Sequence, residues 1–140
     1  MKKTLLFVIA LIAVVSVSIE AQTEIRRVYW DNGQLRSWVT FEDGVQSGPY
    51  EIYFPNGQLV QKSSWAIING ERTWDGLRET YYQNGQPQTI QYYRNGVLDG
   101  PHITYNEDGS MRARRTYNMG ERCGVWSLYY QDETRTYDPC

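Results

Sequence analysis

A single histidine, His102, serves a chain of 140 residues. One imidazole cannot supply the several ligands of a structural metal site, and the two cysteines, Cys123 and Cys140, stand at no ligand spacing from it. Lysine is almost as scarce: beyond residue 21 only Lys62 remains, beside 11 arginines, and 12 basic residues meet 15 acidic ones. A mildly acidic chain of this kind is not built for nonspecific nucleic-acid binding. Its only basic cluster, Arg112, Arg114 and Arg115, reads as a solvated strand face. No glycine-rich phosphate loop precedes a helical pattern. Ser63-Ser64 lies in no nucleophile–base arrangement, and Glu107-Asp108 reads as turn chemistry. No catalytic residue, cofactor or metal ligand is expected.

Long apolar runs are also missing after residue 19. Before it, "MKK" leads into "TLLFVIALIAVVSVSI", 16 residues without a charge, and then "EAQ". A basic start, a short apolar run and a small residue at the cut predict a secretory signal peptide over residues 1–21, cleaved after Ala21. An uncleaved membrane anchor would need about 18 or more apolar residues. The expectation is an exported chain, periplasmic, cell-surface or secreted, with no membrane span after cleavage. In that setting an even pair of cysteines points to a Cys123–Cys140 disulfide; two free thiols in a loose tail are the other reading.

What the chain has is one phrase, repeated. "YWDNGQLR" begins at Tyr29, "YFPNGQLV" at Tyr53, "YYQNGQPQ" at Tyr81, "YNEDGSMR" at Tyr105, and a frayed "YYQDETRT" at Tyr129. All 12 glycines fall into three series of four: Gly33, Gly57, Gly85 and Gly109; Gly44, Gly70, Gly96 and Gly120; Gly48, Gly76, Gly100 and Gly124. A fixed period of this length marks an array in which each unit is completed by its neighbours. After a short linker at 22–27, the units run at about 28–48, 49–76, 77–100, 101–124 and 125–140.

Asn-Gly or Asp-Gly between β-branched and aromatic residues is a strong hairpin signal, because a type I′ turn needs positive φ at both central residues. It recurs at Asn32-Gly33, Asp43-Gly44, Asn56-Gly57, Asn69-Gly70, Asn84-Gly85, Asn95-Gly96 and Asp108-Gly109, with Met119-Gly120 as a variant. The fold predicted is all-β: an antiparallel meander of about nine or ten strands without helix, forming one twisted, elongated sheet. Two-residue turns would set Phe54 opposite Leu59, Tyr53 opposite Val60, Glu51 opposite Lys62 and Trp30 opposite Leu35.

Alternation then assigns two faces. Trp30, Leu35, Val39, Phe41, Tyr50, Ile52, Phe54, Leu59, Trp65, Tyr82, Tyr93, Met111, Tyr117, Trp126, Leu128 and Tyr130 form the expected core side. The five phrase tyrosines fall on the other side with Arg36, Trp38, Glu51, Lys62, Glu79, Tyr92, Arg112 and Arg114. The second unit carries two extra residues on each side of Asn69-Gly70. This predicts a longer hairpin with Trp65 opposite Trp74 and with Ile67 and Ile68 near its tip.

The phrase, the Gly-x-x-x-Gly spacer and the period resemble the MORN repeat variant, over roughly residues 28–130. This repeat is found in bacterial proteins often labelled YwqK-like antitoxins. The resemblance implies twisted hairpin sheets and a binding role: classical MORN repeats are linked to protein interaction and membrane association, and the antitoxin label implies a partner toxin. Before the third glycine, where such repeats often carry His or Lys, this chain has Ser47, Asp75, Asp99 and Cys123.

The functional expectation is a non-catalytic binding or scaffold module for a protein partner or an extended surface ligand, with an antitoxin-like or immunity role against a toxin as the alternative. The candidate contact residues are Tyr29, Tyr53, Tyr81, Tyr105, Tyr129, Trp38, Ile67, Ile68 and Trp74. Aromatic rings flanked by Arg and Glu suit a recognition surface. The β-propensity of tyrosine would enrich it here without any ligand.

Overall fold

The computed structural model describes residues 22–129 and 133–140; the proposed signal peptide and Tyr130 lie outside them. The described residues form eleven strands and one antiparallel sheet: β1 (Thr23–Tyr29), β2 (Leu35–Glu42), β3 (Val45–Tyr53), β4 (Leu59–Ile68), β5 (Glu71–Trp74), β6 (Gly76–Tyr81), β7 (Pro87–Arg94), β8 (Val97–Tyr105), β9 (Met111–Asn118), β10 (Glu121–Leu128) and β11 (Glu133–Thr136). Each strand pairs with the next, except that β5 folds back on β4 alone and β4 also pairs with β6. The predicted meander is present. Residues 22–27, expected as a linker, are instead largely β1, whose Thr23 to Tyr29 run along β2. The alternating "TEIRRVY" segment finds its ladder partners there.

The eight hairpin turns of the first and second glycine series are of two kinds. In the second glycine series both central residues have positive φ: Asp43 50° and Gly44 79°, Asn69 54° and Gly70 81°, Asn95 50° and Gly96 83°, Met119 47° and Gly120 88°. These are the two-residue turns expected. In the first series only the glycine is left-handed. At the second phrase the Phe54 N–H donates to the Gln58 carbonyl (2.7 Å), and the Gly57 N–H to the Phe54 carbonyl (2.9 Å). The Asn56 side-chain oxygen accepts the Gln58 N–H at 3.0 Å. Asparagine is used here for its side-chain acceptor, which closes an Asx turn; the loop is a three-residue hairpin with a glycine bulge.

This corrects the register beside the phrase. Tyr53 pairs with Leu59, not Val60, while Glu51 still pairs with Lys62. Tyr29 pairs with Leu35 and Tyr105 with Met111. Leu35, Leu59 and Met111 therefore stand beside the tyrosines and leave the assigned core side. The bulge falls at the phrase tyrosine every time, between Val28 and Tyr29, Ile52 and Tyr53, Thr80 and Tyr81, and Thr104 and Tyr105.

The expected core side is also corrected. No second layer covers the sheet among the described residues. The buried positions are few: Ala113, Cys123, Trp126 and Leu128, with the polar Thr40, Ser47, Ser63 and Gln91. Small or hydrogen-bonded side chains disappear because longer neighbours lean over them, so burial here follows size as much as hydrophobicity.

Successive units are tied by side chains reaching backbone. Trp30 Nε1 donates to the Tyr53 carbonyl (3.1 Å) and the Tyr82 hydroxyl to the Tyr105 carbonyl (2.9 Å). Asn32 Nδ2 donates to the Pro55 carbonyl and Asn84 Nδ2 to the Glu107 carbonyl, both at 2.7 Å. On the opposite edge, Asp75 Oδ1 accepts the Asn95 N–H (3.1 Å) and Asp99 Oδ1 the Met119 N–H (3.2 Å). The two aspartates that stand where a basic residue was looked for thus cap the next unit's turn.

Met119 is the one long side chain among the left-handed turn residues, and it is 53% exposed. A left-handed conformation costs an ordinary L-residue about 1–2 kcal/mol, and asparagine less. Met119→Asn is therefore expected to stabilise the protein by about 0.5–1 kcal/mol. Urea denaturation checks this; an unchanged or lowered midpoint would show that the methionine side chain contributes packing that its exposure conceals.

Candidate partner-binding surface

Ladder partners share a face, so the register assigns the site. Across the middle of the sheet one row runs Trp38, Glu51, Lys62, Glu79, Ile90, Ile103, Arg114 and Ser127. The phrase tyrosines lie two residues along from this row, on the same face.

Two side-chain hydrogen bonds on this face converge on Glu51. Trp38 Nε1 donates to Glu51 Oε2 at 2.6 Å, and the Tyr53 hydroxyl donates to the same oxygen. One carboxylate thus fixes an indole and a phenol from β2 and β3. Burial, then the Glu51 carboxylate, raises the Tyr53 phenol above the usual tyrosine range. Burial followed by the Glu79 and Glu51 charges does the same for Tyr81. Both phenols stay protonated at neutral pH, and the Tyr53 hydroxyl, its proton engaged by Glu51, offers its oxygen as an acceptor. Tyr53, Tyr81 and Tyr105 are half-buried; Tyr29 and Tyr129, at the two ends, are 57% and 52% exposed.

Of the long-hairpin candidates, Ile67 and Trp74 do not join this surface, whereas Ile68, an even number of residues along β4 from Lys62, shares its face. The long hairpin has the predicted pairing: Trp65 with Trp74, Ala66 with Thr73, Ile67 with Arg72 and Ile68 with Glu71. The two indoles stack with centroids 3.5 Å apart. Trp65 continues the Tyr50–Ser63 side of the sheet, so Trp74 and Ile67 lie on the face opposite the tyrosines. Ile67 is 42% exposed, while Ile68 is half-buried. The base of the arm is held by the next unit: the Gly96 N–H donates to the Trp74 carbonyl at 2.9 Å. A Cβ on Gly96 would come within 2.2 Å of Thr73 Oγ1.

That opposite face is dressed in arginine and aromatic rings, an arrangement the sequence reading missed. Trp65, Trp74 and Tyr93 form one run of rings; His102, Tyr117, Trp126 and Tyr137 form another. Guanidinium groups lie over Trp65 (Arg72, 4.6 Å), Trp74 (Arg78, 5.4 Å) and Trp126 (Arg122, 5.1 Å). The signal was the spacing: once strands and register are fixed, each arginine falls beside a ring. Beside the row of Arg78 and Arg115 is an open cavity of about 430 Å³ whose lining includes Arg78, Arg112, Arg115 and the phrase tyrosine Tyr105. The basic trio is therefore not one solvated face. Arg114 shares the tyrosine face, whereas Arg112, placed there by alternation alone, lines the cavity with Arg115.

At the chain's end, Cys123 and Cys140 form a disulfide, with Cα atoms 5.0 Å apart. The Gly124 N–H donates to the Asp138 carbonyl and the Tyr137 N–H to the Gly124 carbonyl, both at 2.8 Å. Tyr137 packs on Trp126 with centroids 4.8 Å apart. Among the described residues no group of three or more His, Cys, Asp or Glu could hold a metal ion.

Two of the hairpins, β3–β4 and β6–β7, stand out in comparison with known families. Residues 46–66 and 74–95 match the MORN repeat variant. Each matched segment centres on an Asn-Gly phrase turn, so the MORN repeat unit here is strand, Asx-closed loop, strand. The β1–β2 and β8–β9 hairpins close with the same pair of backbone hydrogen bonds, Gly33 to Trp30 and Gly109 to Asn106 among them. No curated protein and no solved structure matches the chain.

Proposed function

We propose that this protein is an exported, non-catalytic binding module whose tyrosine face receives a protein partner or an extended surface ligand. Export rests on the basic, apolar and small-residue pattern of residues 1–21. MORN repeats generally serve as binding or scaffold modules. The observation that carries the choice of face is the Glu51 cluster, where Trp38 and Tyr53 are held by one carboxylate on an uncovered sheet. Rings fixed in advance lose little freedom on binding, and amphipathic rings suit a partly polar partner.

The test is a pull-down from the native host's envelope and culture fluid, with the protein and with a variant carrying Tyr53→Ser, Tyr81→Ser and Tyr105→Ser. The wild type should recover a partner that the variant recovers at least about tenfold less, the loss expected when hot-spot rings go. Denaturation should show the variant folded. Equal recovery by both proteins would remove the tyrosine face from the proposal. Recovery of a toxin in place of envelope material would establish the antitoxin role instead.

A further inference from the structure

The arginine cavity opens over the Thr80, Thr89 and Thr104 side of the sheet, with Tyr82 and the phrase tyrosine Tyr105 also in its lining. We propose that Arg78, Arg112 and Arg115, with the hydroxyls of Thr80, Thr89 and Thr104, bind the acidic group of a small polyhydroxylated ligand, a uronic acid or phosphorylated sugar unit.

The cavity exists because of a row of short side chains. Thr80 pairs with Thr89, Thr89 with Thr104, and Thr104 with Ala113, across β6, β7, β8 and β9. Four successive strands thus place only small residues side by side, ending at Ala113, which is 0% exposed. Long side chains rise around them. The resulting volume, about 430 Å³, falls within the range of small-molecule sites, about 300–1,000 Å³.

Its lining holds three guanidinium groups and no carboxylate. Arg78 donates to Gln91 Oε1 (2.7 Å) and Gln61 Oε1 (3.1 Å), neutral amides that orient the fork and leave its charge in place. Its Nε is buried with no acceptor. Among the described residues neither Arg78 nor Arg115 makes an ion pair. His102, the ladder partner of Arg115, registers the local field: burial first, and Arg115 second, hold its imidazole below the usual histidine range. Clustered cations of this kind favour an oxyanion, which guanidinium groups bind through paired charge-assisted hydrogen bonds. The Thr89 and Thr104 hydroxyls can donate to or accept from sugar hydroxyls, while the Thr80 hydroxyl, which donates to Gln88 Oε1 at 3.2 Å, can accept. The aromatic residues of the lining are Tyr82 and Tyr105, whose rings can meet the apolar face of a sugar ring.

Isothermal titration with glucuronate, glucose 6-phosphate and uncharged glucose tests the site. At least one of the two acids should bind and glucose should not; which acid binds identifies the carboxylate or the phosphate as the ligand group. Arg112→Gln and Arg115→Gln should each weaken binding about tenfold, the order expected for one charge-assisted hydrogen bond. Thr89→Val and Thr104→Val keep shape and charge and should also weaken it, which covers the case of an arginine variant that fails to fold. In the unmodified protein the bound acid should raise the His102 pKa, read by NMR, because it offsets the Arg115 charge. Failure of both acids to bind, equal binding of glucose, or binding indifferent to all four substitutions would overturn the proposal. Tyr105 lines the cavity as well, but the four substitutions leave Tyr53 and Tyr81 in place, so failure here does not decide partner binding by the tyrosine face.

Discussion

Trp126→Ala is expected to cost about 3–5 kcal/mol, the loss typical of truncating a buried large aromatic side chain. Trp126 is the largest of the buried hydrophobic residues, at 6% exposure. Its Nε1 donates to the Thr116 carbonyl at 3.0 Å. Its ring meets Tyr117 on one side (5.2 Å) and Tyr137 on the other (4.8 Å), with Arg122 over it at 5.1 Å. In a sheet without a second layer, a cavity at this point cannot be refilled from above. Urea denaturation followed by tryptophan fluorescence and circular dichroism measures the loss. A cost near 1 kcal/mol would mean that the rings of this run act as independent surface groups.

Removing the disulfide should be nearly as severe. Cys123 and Cys140 are 17 residues apart. In the chain-entropy account a loop of that length contributes about 3 kcal/mol. The bond also retains the tail that carries β11 and Tyr137, so its loss reaches Trp126 through the 4.8 Å ring contact. Double substitution to serine should lower stability by about 3 kcal/mol, and less than additively when combined with Trp126→Ala, because the two changes remove shared contacts. Hydrogen exchange should show amides 133–136 opening first. If those amides stay as protected as the centre of β8, the tail is held by its strand pairing and the disulfide is incidental.

The meander and the long hairpin were legible in the sequence because glycine turns at fixed intervals leave little choice of topology. The four pairs from Trp65–Trp74 to Ile68–Glu71 could be counted outward from Asn69-Gly70, and the structure has all four. The same dipeptide misled at Asn56-Gly57. There the side-chain oxygen of Asn56 closes the loop, and the resulting bulge moves Leu59 to Tyr53. Asn-Gly alone does not distinguish the two turns; the Gln or Ser that follows every glycine of the first series, where the second series has Val or Glu, was the available cue. The buried set was illegible for a different reason. Ser63 and Gln91 are covered by neighbours from other strands, and hydrophobicity along one strand says nothing about that.

On the tyrosine face, the meeting of Trp38 and Tyr53 at Glu51 needed only the β2–β3 register, yet the sequence supplied the residues without the carboxylate's role. The arginine cavity was out of reach. Arg78 and Arg115 come from neighbouring units and meet only through the ladder from β6 to β9, and Arg112 joins them through a bulge that period-two alternation cannot anticipate.

The contacts between units also bear on how such a chain can lengthen. Asn32 donates to the Pro55 carbonyl and Asn84 to the Glu107 carbonyl; Trp30 and Tyr82 likewise reach forward to Tyr53 and Tyr105. In these four bonds every donor comes from the earlier unit and every acceptor is main chain of the later one, whereas at the other edge Asp75 and Asp99 of the earlier unit accept from the later unit's backbone. An acceptor that is main chain does not depend on the recipient's side chains. A copied segment inserted in frame would therefore meet a ready-made socket on one side and offer one on the other, and the repeats could drift apart in sequence, as "YFPNGQLV" and "YNEDGSMR" have, without unfastening the joint.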